Sequence, residues 1–97
     1  MRLELLYFEG CPHWRLADER LAAIAAERGF EVAHRLVDTP EEAEAMGFRE
    51  SPTIFVGGRD PFVVGDEPTG LSCRVYLTPD EPAGAPTTAQ LREALGG

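Results

Sequence analysis

The chain contains no lysine and no asparagine, holds two cysteines and one tryptophan, and lacks any long run of apolar residues. Each shortage excludes something. Residues 1–10, with a charge at Glu4, suit neither a signal peptide nor a membrane span, so a cytoplasmic protein is expected. Two cysteines in that compartment are more often reactive, metal-binding or simply buried than paired, which speaks against a disulfide framework. With lysine absent, all nine basic residues are arginines scattered singly, and the net charge is −8. Nucleic acid and anionic membrane surfaces are therefore repelled. The missing asparagine and lysine reflect compositional bias and exclude no mechanism.

What is present suits one domain over residues 1–97. Hydrophobic residues make up 43% of the chain, and neither an internal repeat nor a low-complexity tract interrupts it. Leu3 to Phe8 is an apolar run of strand length closed by Glu9-Gly10, expected as a central strand. From Pro12 to Arg28, Trp14, Ala17, Leu21, Ile24 and Ala25 recur at helical steps between charged residues, with Pro12 at a first-turn position and Gly29 at the end. Val32, Leu36 and Val37 suit a second strand within Glu31 to Val37. Thr39-Pro40 with Glu42 forms a T-x-x-E capping box that opens a helix over 40–46, stopped by Gly47.

Thr53 to Val56 reads as a third strand, and Gly57-Gly58 as a hairpin signal. The fourth strand is either Phe62 to Val64 or Arg74 to Thr78. Pro61 disfavours the first, so the second is preferred, with Arg59 to Ser72 as an elaborated loop. Thr87 and Gln90 cap a last helix over 88–95. The order β-α-β-α-β-β-α predicts an α/β fold: a mixed four-stranded sheet with helices on both faces.

Chemistry points to Cys11, placed where the first strand ends and the first helix begins. As the helix N-cap it would sit among unpaired amides at the positive end of the helix dipole. Such a setting favours thiolate and lowers a thiol pKa from its free value of about 8.5. His13, if protonated, acts in the same direction, while Glu9 and the overall charge oppose it. A structural reading stands beside the reactive one, with Cys11 as a small capping residue. His13 reads better as an exposed first-turn residue than as a base, and Trp14 as a core or groove-wall aromatic.

Gly10-Cys11-Pro12 after a strand, the β-α-β order, and Ser51-Pro52-Thr53 opening the third strand resemble the thioredoxin-like superfamily. The resemblance implies that the Ser51-Pro52 peptide is cis, that Pro52 packs beside Cys11, and that Ser51 faces a thiol substrate. It implies a redox protein in which Cys11 is the catalytic nucleophile, with Pro12, His13, Trp14, Ser51 and Pro52 as substrate-binding residues. No cofactor is implied, and the partner is a small-molecule thiol or a protein disulfide. The family's second motif cysteine is replaced by Trp14, which implies a single-cysteine route in which an external thiol releases the mixed disulfide. The chain also resembles small bacterial proteins labelled alkylmercury lyase-like.

Cys73 keeps three readings: a buried strand cysteine alternating with Val75 and Leu77 onto one face, a second thiol that resolves a Cys11 intermediate, or a metal ligand. A fourth strand starting near Cys73 and running antiparallel to the third would begin far from Pro52, so no Cys11–Cys73 bridge is expected. Cys11, His13 and Cys73 are too few ligands for a zinc site, and no metal is expected. His34 is expected to be partly exposed or satisfied by its neighbours. Besides a redox protein, the sequence admits a non-enzymatic binding module built around Trp14 and the proline groove, or a mercurial or soft-metal thiolate binder.

Overall fold

The apolar run near the N-terminus becomes β1 (Leu3–Tyr7), and its period-two alternation sends side chains to both faces of a sheet. A computed structural model describes residues 2–62, 69–79 and 81–96, and at 72 and 73 the course of the backbone. After β1 come α1 (Trp14–Arg28), β2 (Val32–Leu36), α2 (Pro40–Met46), β3 (Arg49–Ser51) and β4 (Thr53–Val56). They are followed by β5 (Gly70–Cys73), β6 (Tyr76–Leu77), β7 (Pro82–Ala83) and α3 (Thr88–Ala94). The fold is mixed α/β. Among the described residues no helix is long and apolar enough to cross a membrane.

β1 is central, as its composition requires: β2 pairs parallel on one side and β4 antiparallel on the other. Leu3 and Leu5 turn to one face, where Ala17, Leu21 and Ile24 of α1 and Leu91 of α3 bury them with Ile54. Leu6 turns to the opposite face and packs with Val37, Ala43 of α2 and Phe48. Helices therefore cover both faces. β2 is the exposed edge, and there His34 pairs with Asp18 of α1 at 2.6 Å in open solvent.

The helix ends follow their caps. Gly29 and Gly47 take φ of +74° and +70° and close α1 and α2 in left-handed geometry. At α3 the Thr87–Gln90 box is reciprocal, each side chain accepting the other residue's amide. At α2 it is one-sided. Thr39 accepts the Glu42 amide at 3.1 Å, but the Glu42 carboxyl accepts the Thr39 hydroxyl at 3.2 Å instead of the Thr39 amide, and the neighbouring Asp38 carboxyl raises its pKa above the usual glutamate value.

Four expectations need correction. α1 begins at Trp14 and its N-cap is His13, without a side-chain hydrogen bond, so Cys11 precedes the cap. Among the described residues the main sheet has three strands, and the preferred fourth does not join it. The Gly57-Gly58 turn forms, with both glycines at positive φ, but pairing stops at a single Val56–Arg59 bridge. The preferred fourth strand shrinks to β6, which pairs with β7 in a separate hairpin. The alternative strand, Phe62 to Val64, lies outside the described residues after Phe62, as does much of the Arg59–Ser72 loop.

Across the described positions 74–77 the alternation is present with the opposite phase, and the Cys73 side chain lies outside them. Val75 and Leu77 are 66% and 73% exposed, whereas Arg74 and Tyr76 are buried at 5% and 4%. An arginine can turn inward only if a carboxylate meets it, and Asp60 does so: Nη1 lies 2.7 Å from Oδ2. That distant partner reverses the pattern the apolar residues suggest.

Two outcomes test this packing. Val75→Ser and Leu77→Ser are expected to change the unfolding free energy by no more than about 0.5 kcal/mol, while Leu5→Ala should cost about 2–5 kcal/mol in urea titrations. The second concerns the exposed Arg92–Glu27 bridge between α3 and α1, closed at 2.6 Å. Its hydrogen bond and charge lower the Glu27 pKa from 4.5, so its stabilising contribution is complete above that pH and lost as the pH falls through the lowered value. Glu27→Gln should flatten this part of the acid decline in a melting-temperature series, and high salt should do the same.

Candidate functional site

Cys11 reaches its position through a tight turn at the end of β1. Its amide donates to the Phe8 carbonyl at 3.0 Å, closing the turn Phe8–Cys11. Gly10 is required within it, because a Cβ there would lie 2.5 Å from the Phe8 ring. The turn carries Cys11 under the protein surface, where it is fully buried.

The second wall is the segment Glu50-Ser51-Pro52-Thr53. The Ser51–Pro52 peptide is cis, the isomer the resemblance implies. Glu50 adopts φ +74°, unusual for a residue with a side chain. Thr53 braces it: Oγ1 donates to the Glu50 carbonyl at 2.7 Å and accepts the Arg49 amide at 3.0 Å. Ser51 then joins three segments. Its hydroxyl accepts the Phe8 amide at 3.0 Å, its carbonyl accepts the Arg74 amide at 2.8 Å, and the same carbonyl oxygen lies 3.8 Å from Cys11 Sγ.

Cys11 is disulfide-bonded, which corrects the expectation that it stands without an intramolecular partner. Its sulfur therefore carries no proton, and the approach to the Ser51 carbonyl is a contact rather than a hydrogen bond. The other cysteine of the chain is Cys73. Its backbone closes β5, which runs parallel to β3 and places the Cys73 Cα opposite that of Ser51. The expected separation fails because the chain does not return antiparallel beside β4. It pairs with β3 instead, on the Ser51 side of the cis bond. The Cys73 side chain itself lies outside the described atoms.

The remaining candidate residues divide by exposure. Pro12 and His13 are exposed, Trp14 is half-buried, and Ser51 and Pro52 are buried. Trp14 stacks on Tyr7 with ring centroids 4.2 Å apart, and the Arg15 guanidinium lies over it at 5.1 Å. It packs against the edge of the core cluster of β1 and α1. His13 rests against Gly84, where an added Cβ would lie 1.7 Å from Nδ1. His34 is remote from this region, on the β2 edge. Among the described residues no three histidine, cysteine or carboxylate side chains cluster as a metal site would need.

His13, two residues beyond Cys11, and Arg74, one beyond Cys73, line the same open cleft of about 330 Å³ with Val75, Pro82, Ala83 and Gly84. A larger cleft, about 730 Å³, lies around Arg2, Phe30 and Val32 at the opposite end of β1. Its position gives it no part in chemistry at Cys11.

Sequence reasoning missed Asp60, Arg74 and Tyr76. The Arg74 guanidinium is bidentate on Asp60 and lies 4.5 Å above the Tyr76 ring, and the Tyr76 hydroxyl donates to the Pro52 carbonyl. No local motif marks this group, since its members meet only through tertiary structure. Compared with protein-family models, curated proteins and solved structures, the chain gives no match.

The bracing of this segment has a measurable consequence. Thr53→Val keeps the side-chain shape but removes both hydrogen bonds of the hydroxyl, to the Arg49 amide and the Glu50 carbonyl, so a loss of about 1–3 kcal/mol is expected in denaturant unfolding. Thr39→Val, at an exposed cap, should cost less, about 1 kcal/mol.

Proposed function

We propose that this protein is a thioredoxin-like thiol redox protein in which Cys11 is the reacting cysteine and Cys73 the second thiol. The observation that carries the reading is the Cys11 disulfide against the Ser51 carbonyl, beside a cis-proline, with the Cys73 backbone paired to Ser51. A central β1, a helix following Cys11 and helices on both sheet faces support the family likeness, although among the described residues the main sheet has one strand fewer than expected.

In the reduced protein the Cys11 thiolate attacks one sulfur of a substrate disulfide. A Cys11–substrate bond forms, and the substrate's other sulfur leaves and takes up a proton. The Cys73 thiolate then attacks the Cys11 sulfur, closing the intramolecular disulfide and releasing the second substrate thiol. Two electrons and two protons have passed from the protein to the substrate. An external thiol or dithiol restores the reduced pair by the reverse exchange. This departs from the single-cysteine route implied by Trp14, because the resolving thiol comes from β5 instead of the first helix turn. Reversible exchange also suits the cytoplasmic location the sequence suggests, where a merely structural disulfide is hard to maintain.

The cleft between His13 and Arg74 offers the approach for a substrate, with Pro12 and Trp14 beside it. Full burial of Cys11 and Pro52 favours a second reading, a binding module stapled by an inert disulfide. Turnover of a low-molecular-weight aromatic disulfide in the presence of a dithiol reductant separates the two. Cys11→Ser is expected to abolish turnover, and Cys73→Ser to accumulate a mixed disulfide on Cys11 detectable as added mass. Equal, negligible activity of wild type and both variants would leave the binding module as the better account.

A further inference from the structure

We propose that Asp60 and Arg74 are positioning residues that set the reduction potential of the Cys11 disulfide by fixing β5 against Ser51. This rests on the reading that Cys73 is the second thiol. Arg74 follows Cys73 directly and is held at both ends. Its amide donates to the Ser51 carbonyl at 2.8 Å, and its guanidinium spans both Asp60 carboxylate oxygens with the two side chains 5% and 4% exposed.

Arginine keeps its charge at any ordinary pH, so once buried it cannot leave its carboxylate without a large penalty. Asp60 is fixed in turn, because its Oδ1 accepts the Phe62 amide at 2.9 Å. Two residues further on, Tyr76 donates its hydroxyl to the Pro52 carbonyl and meets Phe62 edge-on at 5.4 Å. Residues 74 and 76 thus point the same way along an extended segment and tie it to residues 51 and 52.

β5 needs such a clamp. Among the described residues it pairs with a single three-residue strand, with irregular register between Arg49 and Ser51, and a two-stranded pair is by itself marginal in water. A disulfide forms more readily as the effective concentration of one thiol at the other rises, and that concentration is set by how tightly the intervening chain is held. Asp60 and Arg74 act by confining the Cys73 backbone.

The potential is read by equilibrating the full-length protein in glutathione buffers. Two glutathione thiols become glutathione disulfide while the protein disulfide becomes two thiols, which are counted by alkylation. Asp60→Asn is expected to lower the effective concentration at least tenfold, making the potential less negative by about 30 mV. Tyr76→Phe should lower it at least threefold, while Leu77→Ser, on the outward face of the same segment, should leave it unmoved. A stability loss shared by the oxidised and reduced forms cancels in this measurement, so a purely structural role would not move it.

Folded Asp60→Asn and Tyr76→Phe proteins with potentials within twofold of wild type would overturn the proposal, as would a shift to more negative values. Where Asp60→Asn does not fold, Asp60→Glu, which keeps the charge but displaces the carboxylate from the guanidinium, is read against the same limits. A wild-type protein that keeps both thiols free throughout the oxidising buffers would instead overturn the pairing of Cys11 with Cys73.

Discussion

The buried Ser51 has its hydroxyl and its carbonyl engaged by different parts of the chain. The hydroxyl holds the Phe8 amide at the end of β1, and the carbonyl receives the Arg74 amide while touching Cys11 Sγ. A buried polar group left without a partner costs about 1–3 kcal/mol. Three segments distant in sequence must therefore meet at one residue. The turn holding Cys11, the cis-proline segment and the strand ending at Cys73 owe their proximity to this shared demand. The central position of β1 makes it possible, because a strand paired on both sides and packed by helices on both faces delivers the Phe8–Cys11 turn to a fixed place.

Closure follows from the same arrangement. Cys11, Ser51 and Pro52 are buried, and the chain's own Arg74 amide fills the Ser51 carbonyl that a bound peptide could otherwise use. Cys11 has no exposed surface and cannot be attacked until its cover moves, so under the proposed redox reading exchange at Cys11 is governed by local opening as well as by thiol chemistry. The short β3–β5 pair and the β6–β7 hairpin that borders the cleft at Pro82 and Ala83 are the lightly connected elements nearby. The rigid three-stranded sheet lies behind them. The Asp60–Arg74 ion pair gives this cover its definition without requiring that it contribute net stability.

Much of the frame was legible in the residues. The apolar run at Leu3, the helical spacing through Ala17, Leu21 and Ile24, and the caps at Thr39, Gly47 and Thr87 each act through neighbours in sequence, and they place β1, α1, α2 and α3 within two residues of their ends. The site was legible only in part. Cys11 followed from its place between a strand and a helix, and the cis Ser51–Pro52 bond from a resemblance. The approach of the Cys73 backbone did not, because it depends on β5 choosing β3 over β4 as its neighbour. Likewise Arg74 and Tyr76 face inward because Asp60 and the Pro52 carbonyl await them. Their alternation with Val75 and Leu77 is visible in the sequence, but its phase is not. Apolar character alone assigns it backwards.

One buried residue, Ser51, brings the Cys73 strand to Cys11, and the two cysteines then share a disulfide within one chain. Digestion after arginine, without reductant and with free thiols blocked beforehand, tests it directly. The peptide spanning residues 3–15 and the peptide spanning 60–74 should emerge as one linked species of summed mass less two hydrogens, and reductant should separate them. Recovery of the two peptides as separately blocked thiols, or linked only in a covalent dimer of the chain, would contradict it.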